Sequence, residues 1–209
     1  SESRISGSQI AGSGLAPSKF PDLPAIRGVR ITTAASGMKY QGRDDMMVML
    51  LDAQSHVAGV FTQSDTAAPA VGWSRDQCRN GAVRAIITNA GNANAFTGER
   101  GMDDVRTLCT AFADQLSVRP EDVLIASTGV IGEPLDCACL ITQFDHLATA
   151  GDAGWAAAGP AILTTDTFAK GAAASCEIAG QSVQICGIAK GSGMIAPNMA
   201  TMLGYIFTN

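Results

Sequence analysis

The sequence has 209 residues, of which 46% are hydrophobic and 5% aromatic, and its formal net charge is −5. A chain of this length fills one hydrophobic core, so we expect one domain, and its small aliphatic residues favour close-packed α/β layers over an all-β sandwich. The 14 Lys and Arg residues are scattered along the chain, which argues against nucleic acid as a partner because phosphate binding needs clustered basic residues.

The cysteine content indicates free thiols rather than disulfides. A core-rich chain of this length does not need cross-links, and no signal peptide or Asn-x-Ser/Thr motif is recognisable. Cys137-x-Cys139 lacks the second pair and the nearby histidine of a zinc site, so no metal is expected. Since no apolar run approaches the length of a membrane span, we expect a soluble, cytoplasmic protein. The six cysteines are Cys78, Cys109, Cys137, Cys139, Cys176 and Cys186.

Residues 1–25 are rich in Ser, Gly and Pro and predict a flexible arm or an extended surface segment. Ordered structure is expected from about Ile26. Residues 26–209 contain no internal repeat and no linker, so they are expected to belong to a single α/β domain.

Apolar runs of strand composition predict four strands in the first part of this domain. The first two are apolar at nearly every position, which indicates burial on both faces, and residues 53–55 form the turn between them. The third runs into a loop of small and amide residues, 90–95. The four strands are Asp45–Asp52, His56–Phe61, Val83–Asn89 and Val123–Ser127.

The clearest helix is predicted over about Met102–Ser117, where apolar residues recur at helical spacing and two aspartates stand at the positive N-terminal end. Two more helices are expected at Leu140–Ala148 and about Gly154–Leu163. A hairpin of Ala174–Ile178 and Ser182–Ala189 follows, and the chain ends in a run of strand composition, Gly204–Thr208.

The two histidines, His56 and His146, are expected to be packed or surface residues, so a Ser-His-Asp triad is not predicted. Gly191-x-Gly193-x-x-Ala196 matches a permissive dinucleotide fingerprint, but Pro197 interrupts the helix that such a site requires. No P-loop is present, and no organic cofactor is expected.

A threonine nucleophile that uses its own α-amine as the base needs no histidine. The α-amine titrates near 8, close enough to neutrality to accept a proton. Thr201 is the candidate, because it follows a small residue, Ala200, at a peptide bond that its hydroxyl could attack. An N→O acyl shift and hydrolysis of the ester would then release two chains, with Thr201 at the start of the second.

Acyl transfer also needs hydrogen-bond donors for a tetrahedral oxyanion. The segment Ser127-Thr128-Gly129 at a strand end is the best candidate, with the N–H of Gly129 and the N–H or hydroxyl of Thr128 converging on one oxygen. On these residues alone, an ordinary strand-to-loop turn explains the pattern better.

Taken together, these segments resemble the ornithine acetyltransferase family, the glutamate N-acetyltransferases of the cyclic arginine pathway. The matching stretches occur in the family's order from about residue 28 to the end, and agreement over the last stretch is nearly unbroken. They are Gly59–Thr62, Asn89–Ala95, Ala126–Gly132, Thr164–Thr167 and Gly187–Leu203.

This resemblance implies a layered αββα-type sandwich similar to N-terminal-nucleophile enzymes, and self-cleavage between Ala200 and Thr201 into α and β chains. The freed threonine would pass an acetyl group from N-acetylornithine to glutamate by a ping-pong exchange, with acetyl-CoA a possible co-substrate. Thr128 and Gly129 would form the oxyanion hole, and Thr164, Lys190 and Thr201 would contact the substrate. Lys190 could pair with a substrate carboxylate; the alternative is a solvated loop lysine. An α2β2 heterotetramer is the implied assembly.

This sequence departs from the family pattern in two respects, which leave other functions open. Family members continue well beyond Thr201 with the β half, which completes the substrate site. A cleaved α chain should also end at Ala200, whereas nine residues, 201–209, follow it here. The alternatives are a self-processing threonine aminopeptidase or amidase, and a non-catalytic homologue that keeps the fold.

Overall fold

This computed structural model describes residues 16–192 and 202–209 of the protein. These residues contain seven strands and five α-helices. The strands are β1 (Val29–Ala34), β2 (Met46–Leu51), β3 (Ala85–Asn92), β4 (Val123–Val130), β5 (Lys170–Ile178), β6 (Gln181–Lys190) and β7 (Leu203–Thr208). The helices are α1 (Pro69–Cys78), α2 (Gly98–Leu116), α3 (Cys137–Ile141), α4 (Phe144–Thr149) and α5 (Gly154–Ala161).

The first sheet has the order β1-β2-β3-β4, antiparallel except for the parallel pair β3–β4. Every residue of β2 is buried, as its apolar sequence predicted, because both its edges are hydrogen-bonded and both its faces are covered. Met46 and Val48 face the helical layer, whereas Met47 and Met49 face the opposite side. The central strand therefore anchors two separate cores.

The strand predicted over His56–Phe61 is not formed. His56 makes one isolated bridge to Ala82, and Val60 is 81% exposed. Both edges of β2 are paired, one with β1 and the other with β3, so this apolar run cannot pair with the strand that precedes it in the chain.

Helices α1 to α4 cover one face of the first sheet. The predicted helix over residues 102–117 is confirmed, although α2 begins earlier, at Gly98, and Phe112 on its buried face packs edge-on against Phe144 with ring centroids 4.9 Å apart. The single helix predicted over 140–148 is instead two, α3 and α4, separated at residues 142–143. The Thr142 hydroxyl bonds back to the carbonyl of Cys139 at 2.6 Å, which accompanies this break.

Helix α1 was missed by sequence reasoning. Its buried residues are Ala70 and Ser74, so the helix has no row of large apolar side chains to mark it. The available signal was Pro69, which occupies the first turn, where proline is favoured.

The second sheet, β5-β6-β7, is antiparallel and packs on the other face of the first. The predicted hairpin is confirmed, with Ala179 and Gly180 both at positive φ in its turn, and the last predicted strand is β7. Helix α5 contributes Trp155 to the core between the sheets. This layered α/β arrangement confirms the predicted fold class and is consistent with an αββα-type sandwich.

Packing begins before Ile26, where the sequence placed the first ordered residue. Phe20 and Leu23 pack against the core between the sheets, and the carbonyl of Pro24 accepts a hydrogen bond from Trp155 Nε1 at 2.9 Å. For residues 16–25 these contacts favour the extended surface segment over the flexible arm, because apolar side chains among the prolines pack against the core. Residues 1–15 lie outside the described part.

All six cysteines are free thiols. In the described ranges, 16–192 and 202–209, none of the helices combines the length and apolarity required to cross a bilayer.

Phe112→Ala should destabilise the protein by about 3–5 kcal/mol, because it leaves a cavity beside Phe144. Thr110→Ala, at an exposed position of the same helix, should change the free energy of unfolding by less than about 0.5 kcal/mol. Urea denaturation of both variants measures the difference. Equal stabilities would show that the interface between α2 and α4 does not hold the helical layer.

Candidate functional site

The site lies where the parallel strands β3 and β4 end, at one edge of the first sheet. Gly91 and Gly129 face each other across this pair, and the register shifts between Gly91 and Asn92. Gly129 has φ of +137°, and a Cβ on it would stand 2.3 Å from the carbonyl carbon of Gly91. A side chain cannot fit there, so glycine is required for the two backbones to approach this closely.

The predicted loop over residues 90–95 is wrong for 90–92, which continue β3, and the segment of small and amide residues forms a buried scaffold beside this approach. Asn92 accepts a hydrogen bond from the N–H of Asn94 at 2.7 Å, and Asn89 Nδ2 donates to the carbonyl of Asn92 at 2.9 Å. Asn94 Nδ2 in turn donates to the carbonyl of Gly101, in the first turn of α2, at 2.8 Å. The amides therefore bind backbone groups of the irregular strand end and tie this end to the first turn of α2.

Lys190, the last residue of β6, reaches across from the second sheet to the end of β4. Its Nζ donates to Thr128 Oγ1 and to Thr164 Oγ1, each at 2.8 Å, and the residue is 3% exposed. The reading of Lys190 as a solvated loop lysine is therefore wrong. Three residues that the family resemblance places in the active site lie in direct contact.

The direction of these hydrogen bonds fixes what the hydroxyls can do. An ammonium group only donates, so Thr128 and Thr164 must accept from Lys190. Each threonine then keeps its own O–H proton for another acceptor, and the neighbouring positive charge polarises that proton. Thr128 is thus prepared to donate to an oxygen that develops negative charge.

Asp166 is the residue of this cluster to which sequence reasoning gave no role. Its side chain is fully buried; Oδ1 accepts from Lys170 Nζ at 2.8 Å and from the N–H of Gly191 at 2.6 Å, and Oδ2 lies 3.6 Å from Lys190 Nζ. The available signal was a single carboxylate within the small polar segment 164–167, which the resemblance had already marked.

The charges of this cluster support one another. Burial alone would raise the pKa of Asp166, but the hydrogen bonds from Lys170 and Gly191 and the charge of Lys190 hold this pKa below its ordinary value. Burial lowers the pKa of Lys190, and Asp166 opposes that effect. A buried carboxylate and a buried ammonium thus each favour the charged form of the other.

Thr201 and Ala200 lie outside the described residues, so their predicted roles stay predictions, as do those of the residues around Lys190. Both histidines lie away from this cluster: His56 makes the isolated bridge to Ala82, and His146 is an exposed residue of α4. Among residues 16–192 and 202–209 there is no group of three His, Cys, Asp or Glu side chains placed to hold a metal ion.

A sequence model described as the ArgJ family matches residues 30–209. The arginine biosynthesis bifunctional protein ArgJ of Rhizobium meliloti (strain 1021) is 48% identical over 198 residues, which cover 94% of this chain and 48% of that protein. The same-named protein of Agrobacterium fabrum is 44% identical over 201 residues, covering 96% and 49%. The chain thus spans about half the length of the curated relatives it matches.

Two solved structures share the fold. The arginine biosynthesis bifunctional protein ArgJ from Bacillus halodurans superimposes with a TM-score of 0.77 at 33% identity, covering 84% of this chain and 92% of that one. An ornithine acetyltransferase from Mycobacterium tuberculosis, complexed with ornithine, gives a TM-score of 0.73 at 31% identity, covering 84% and 94%.

Gly129→Ala should destabilise the protein by about 3 kcal/mol or more, because the new Cβ collides with the backbone of Gly91. Gly132→Ala is the matched control: it also has positive φ, +84°, but its Cβ would meet nothing within 4 Å, so only the backbone cost of about 1–2 kcal/mol is expected. Denaturant unfolding compares the two. Similar losses would contradict the steric requirement at Gly129.

Proposed function

The chain belongs to the ArgJ family, which confirms the resemblance found in its motifs, and on this premise we propose that the protein transfers an acetyl group from N2-acetyl-L-ornithine to L-glutamate in arginine biosynthesis. The observation that carries this proposal is the contact of buried Lys190 with Thr128 and Thr164. The names of the relatives, and the ornithine bound to one solved neighbour, support the same substrate class.

The nucleophile in this proposal is Thr201, produced by self-cleavage. Its Oγ attacks the carbonyl carbon of Ala200, the peptide C–N bond breaks, and an ester forms while the α-amine is released. Water then hydrolyses the ester and separates the chains. Leu203, two residues after Thr201 in the sequence, pairs with Lys190 in the second sheet.

Acetyl transfer then follows two mirrored steps. Thr201 Oγ attacks the acetyl carbonyl of acetylornithine as the α-amine takes the hydroxyl proton. Collapse of the tetrahedral intermediate breaks the amide C–N bond, and ornithine leaves with that proton. The amine of glutamate attacks the acetyl ester in the same way and restores the free hydroxyl.

The groups around Lys190 have separate tasks in this sequence. The hydroxyl of Thr128, whose oxygen is occupied by Lys190, donates to the oxyanion together with the N–H of Gly129. Lys190 uses two of its three N–H bonds on the threonines, and its positive charge, which Asp166 Oδ2 faces at 3.6 Å, would also attract a substrate carboxylate. Thr164 keeps a hydroxyl proton for the same substrate.

The finer parts of the proposal rest on the family. The catalytic unit is completed by a β chain from the same precursor and assembles as an α2β2 heterotetramer in the cytoplasm. The names of the relatives call those proteins bifunctional. If this protein is bifunctional too, acetyl-CoA serves as an additional acetyl donor. The chemistry requires neither metal nor organic cofactor, because the threonine supplies both nucleophile and base.

Thr201→Ala in the full-length protein should abolish both self-cleavage and acetyl transfer, because it removes the attacking oxygen. Intact mass measurement follows the cleavage, and N-terminal sequencing of the second chain should begin at Thr201. Thr201→Ser, which keeps a hydroxyl, is the control and should still cleave. A wild-type protein that stays unsplit after long incubation would support the non-catalytic homologue instead.

The acetyl-enzyme separates a transferase from a hydrolase. With acetylornithine alone, the wild-type protein should accumulate the acetylated β chain, and addition of glutamate should discharge it. Rapid loss of the acetyl group in the absence of glutamate would favour the aminopeptidase or amidase alternative.

Thr128→Ala should reduce acetyl transfer by about tenfold to a thousandfold, because one oxyanion donor is lost. Thr128→Ser keeps the hydroxyl and should retain most activity, and Thr149→Ala, exposed on α4, should have no effect. Steady-state rates with acetylornithine and glutamate measure all three. An unchanged rate in Thr128→Ala would remove this residue from the oxyanion hole.

A further inference from the structure

The carboxylate of Asp166 accepts two hydrogen bonds and faces one further positive charge, and these three partners come from different parts of the chain around the second sheet. Lys170 belongs to β5, Lys190 ends β6, and the N–H of Gly191 belongs to the segment that leaves β6 toward Thr201. We propose that Asp166 is a positioning residue that keeps Lys190 charged and sets the direction in which the chain leaves β6 toward the cleavage site. This role rests on the acetyl transfer proposed above.

The first part of the role is electrostatic. A lone ammonium as deeply buried as Lys190 is costly in its charged form. The charged groups that face it are Asp166, which favours its protonated form, and Lys170, which disfavours it. Lys190 can donate to both threonines and also attract a carboxylate only while it is protonated. The opposing charges of Asp166 and Lys170 therefore set the pH at which Lys190 loses these functions.

The second part is geometric. Oδ1 of Asp166 lies 2.6 Å from the N–H of Gly191, a short hydrogen bond to the first residue after β6. Gly191 has φ of +151°, in the region that favours glycine. Leu203, at the start of β7, pairs with Lys190. Asp166 thus fixes the backbone at Gly191, directly after β6, and the pairing with Lys190 fixes it at Leu203.

Two substitutions move the charge on Lys190 in opposite directions. Asp166→Asn keeps an oxygen that can accept from Gly191 but removes the negative charge, so the pKa of Lys190 should fall. Lys170→Met removes a repelling positive charge and leaves Asp166 in place, so the same pKa should rise. If Asp166 and Lys170 only stabilised the fold, the two substitutions would not shift the pKa of Lys190 in opposite directions.

The experiment is the pH dependence of kcat/KM for acetylornithine in the full-length protein. The alkaline limb, where Lys190 loses its proton, should move to lower pH by about one unit or more in Asp166→Asn and to higher pH in Lys170→Met. Asp145→Asn, an exposed carboxylate on α4, is the control and should leave the limb unchanged. Shifts of the same sign in both variants, or none, would overturn the electrostatic role.

A second measurement separates this proposal from the proposed function. NMR titration of the Lys190 side chain, with ¹³C-labelled lysine and assignment by Lys190→Met, reports its pKa whether or not the protein transfers acetyl groups. The same opposite shifts are expected. If acetyl transfer is absent from the wild type and the shifts are present, the proposed function fails while the electrostatic coupling stands.

The anchor on Gly191 has its own readout, the rate of self-cleavage. Asp166→Ala removes the acceptor as well as the charge, so it should slow cleavage by tenfold or more relative to Asp166→Asn. Thermal unfolding checks that both variants fold; if either does not, Lys170→Met still decides the electrostatic part. Equal cleavage rates in two folded Asp166 variants would overturn the anchoring role.

Discussion

The buried ammonium of Lys190 is the interaction on which the arrangement of the site depends. It joins Thr128, at the end of the first sheet, to Thr164, after α5, from a strand of the second sheet. Each of these side chains alone is an ordinary polar residue. Placed around one buried charge, they become donors with a fixed orientation, because the ammonium occupies their acceptor positions and leaves their protons available. Asp166 supplies the opposite charge, which offsets the free-energy cost of burying the ammonium.

The backbone beneath this cluster is equally constrained. A Cβ on Gly129 would collide with the backbone of Gly91, so β4 cannot carry a side chain at that contact. The buried asparagines bind backbone groups of the irregular strand end and of the first turn of α2. Hydrogen-bond donors held by a rigid scaffold need no rearrangement when charge develops on a substrate, and this is the property that an oxyanion hole requires.

The sequence was most informative where one physical signal dominated. The periodicity of α2, the fully apolar β2 and the hairpin of β5 and β6 were all predicted, because burial on one face, burial on two faces and a glycine turn each leave a clear pattern. His56–Phe61 was misread because its apolar residues give no information on whether a sheet edge is free for them. Helix α1 was missed because it packs through Ala70 and Ser74. For the site, motifs marked Thr128, Thr164 and Lys190, but spacing along the chain cannot show that a distant aspartate neutralises a buried lysine.

The position of Lys190 against Thr128 also depends on how the two sheets are held together, since the residues come from different sheets. Thr88 and Tyr205 form a hydrogen bond of 2.7 Å between the sheets. Thr88 lies two residues before Ala90, the partner of Thr128, and Tyr205 lies two residues after Leu203, the partner of Lys190. On each strand, the contact therefore lies two residues away from the pair at the site and on the same face of the sheet. Burial raises the pKa of Tyr205 to about 12, so its hydroxyl stays neutral across the range in which Lys190 is charged. The contact between the sheets thus keeps its hydrogen bond over the pH range in which Lys190 is charged, so a change in the charge of Lys190 is not accompanied by ionisation of Tyr205.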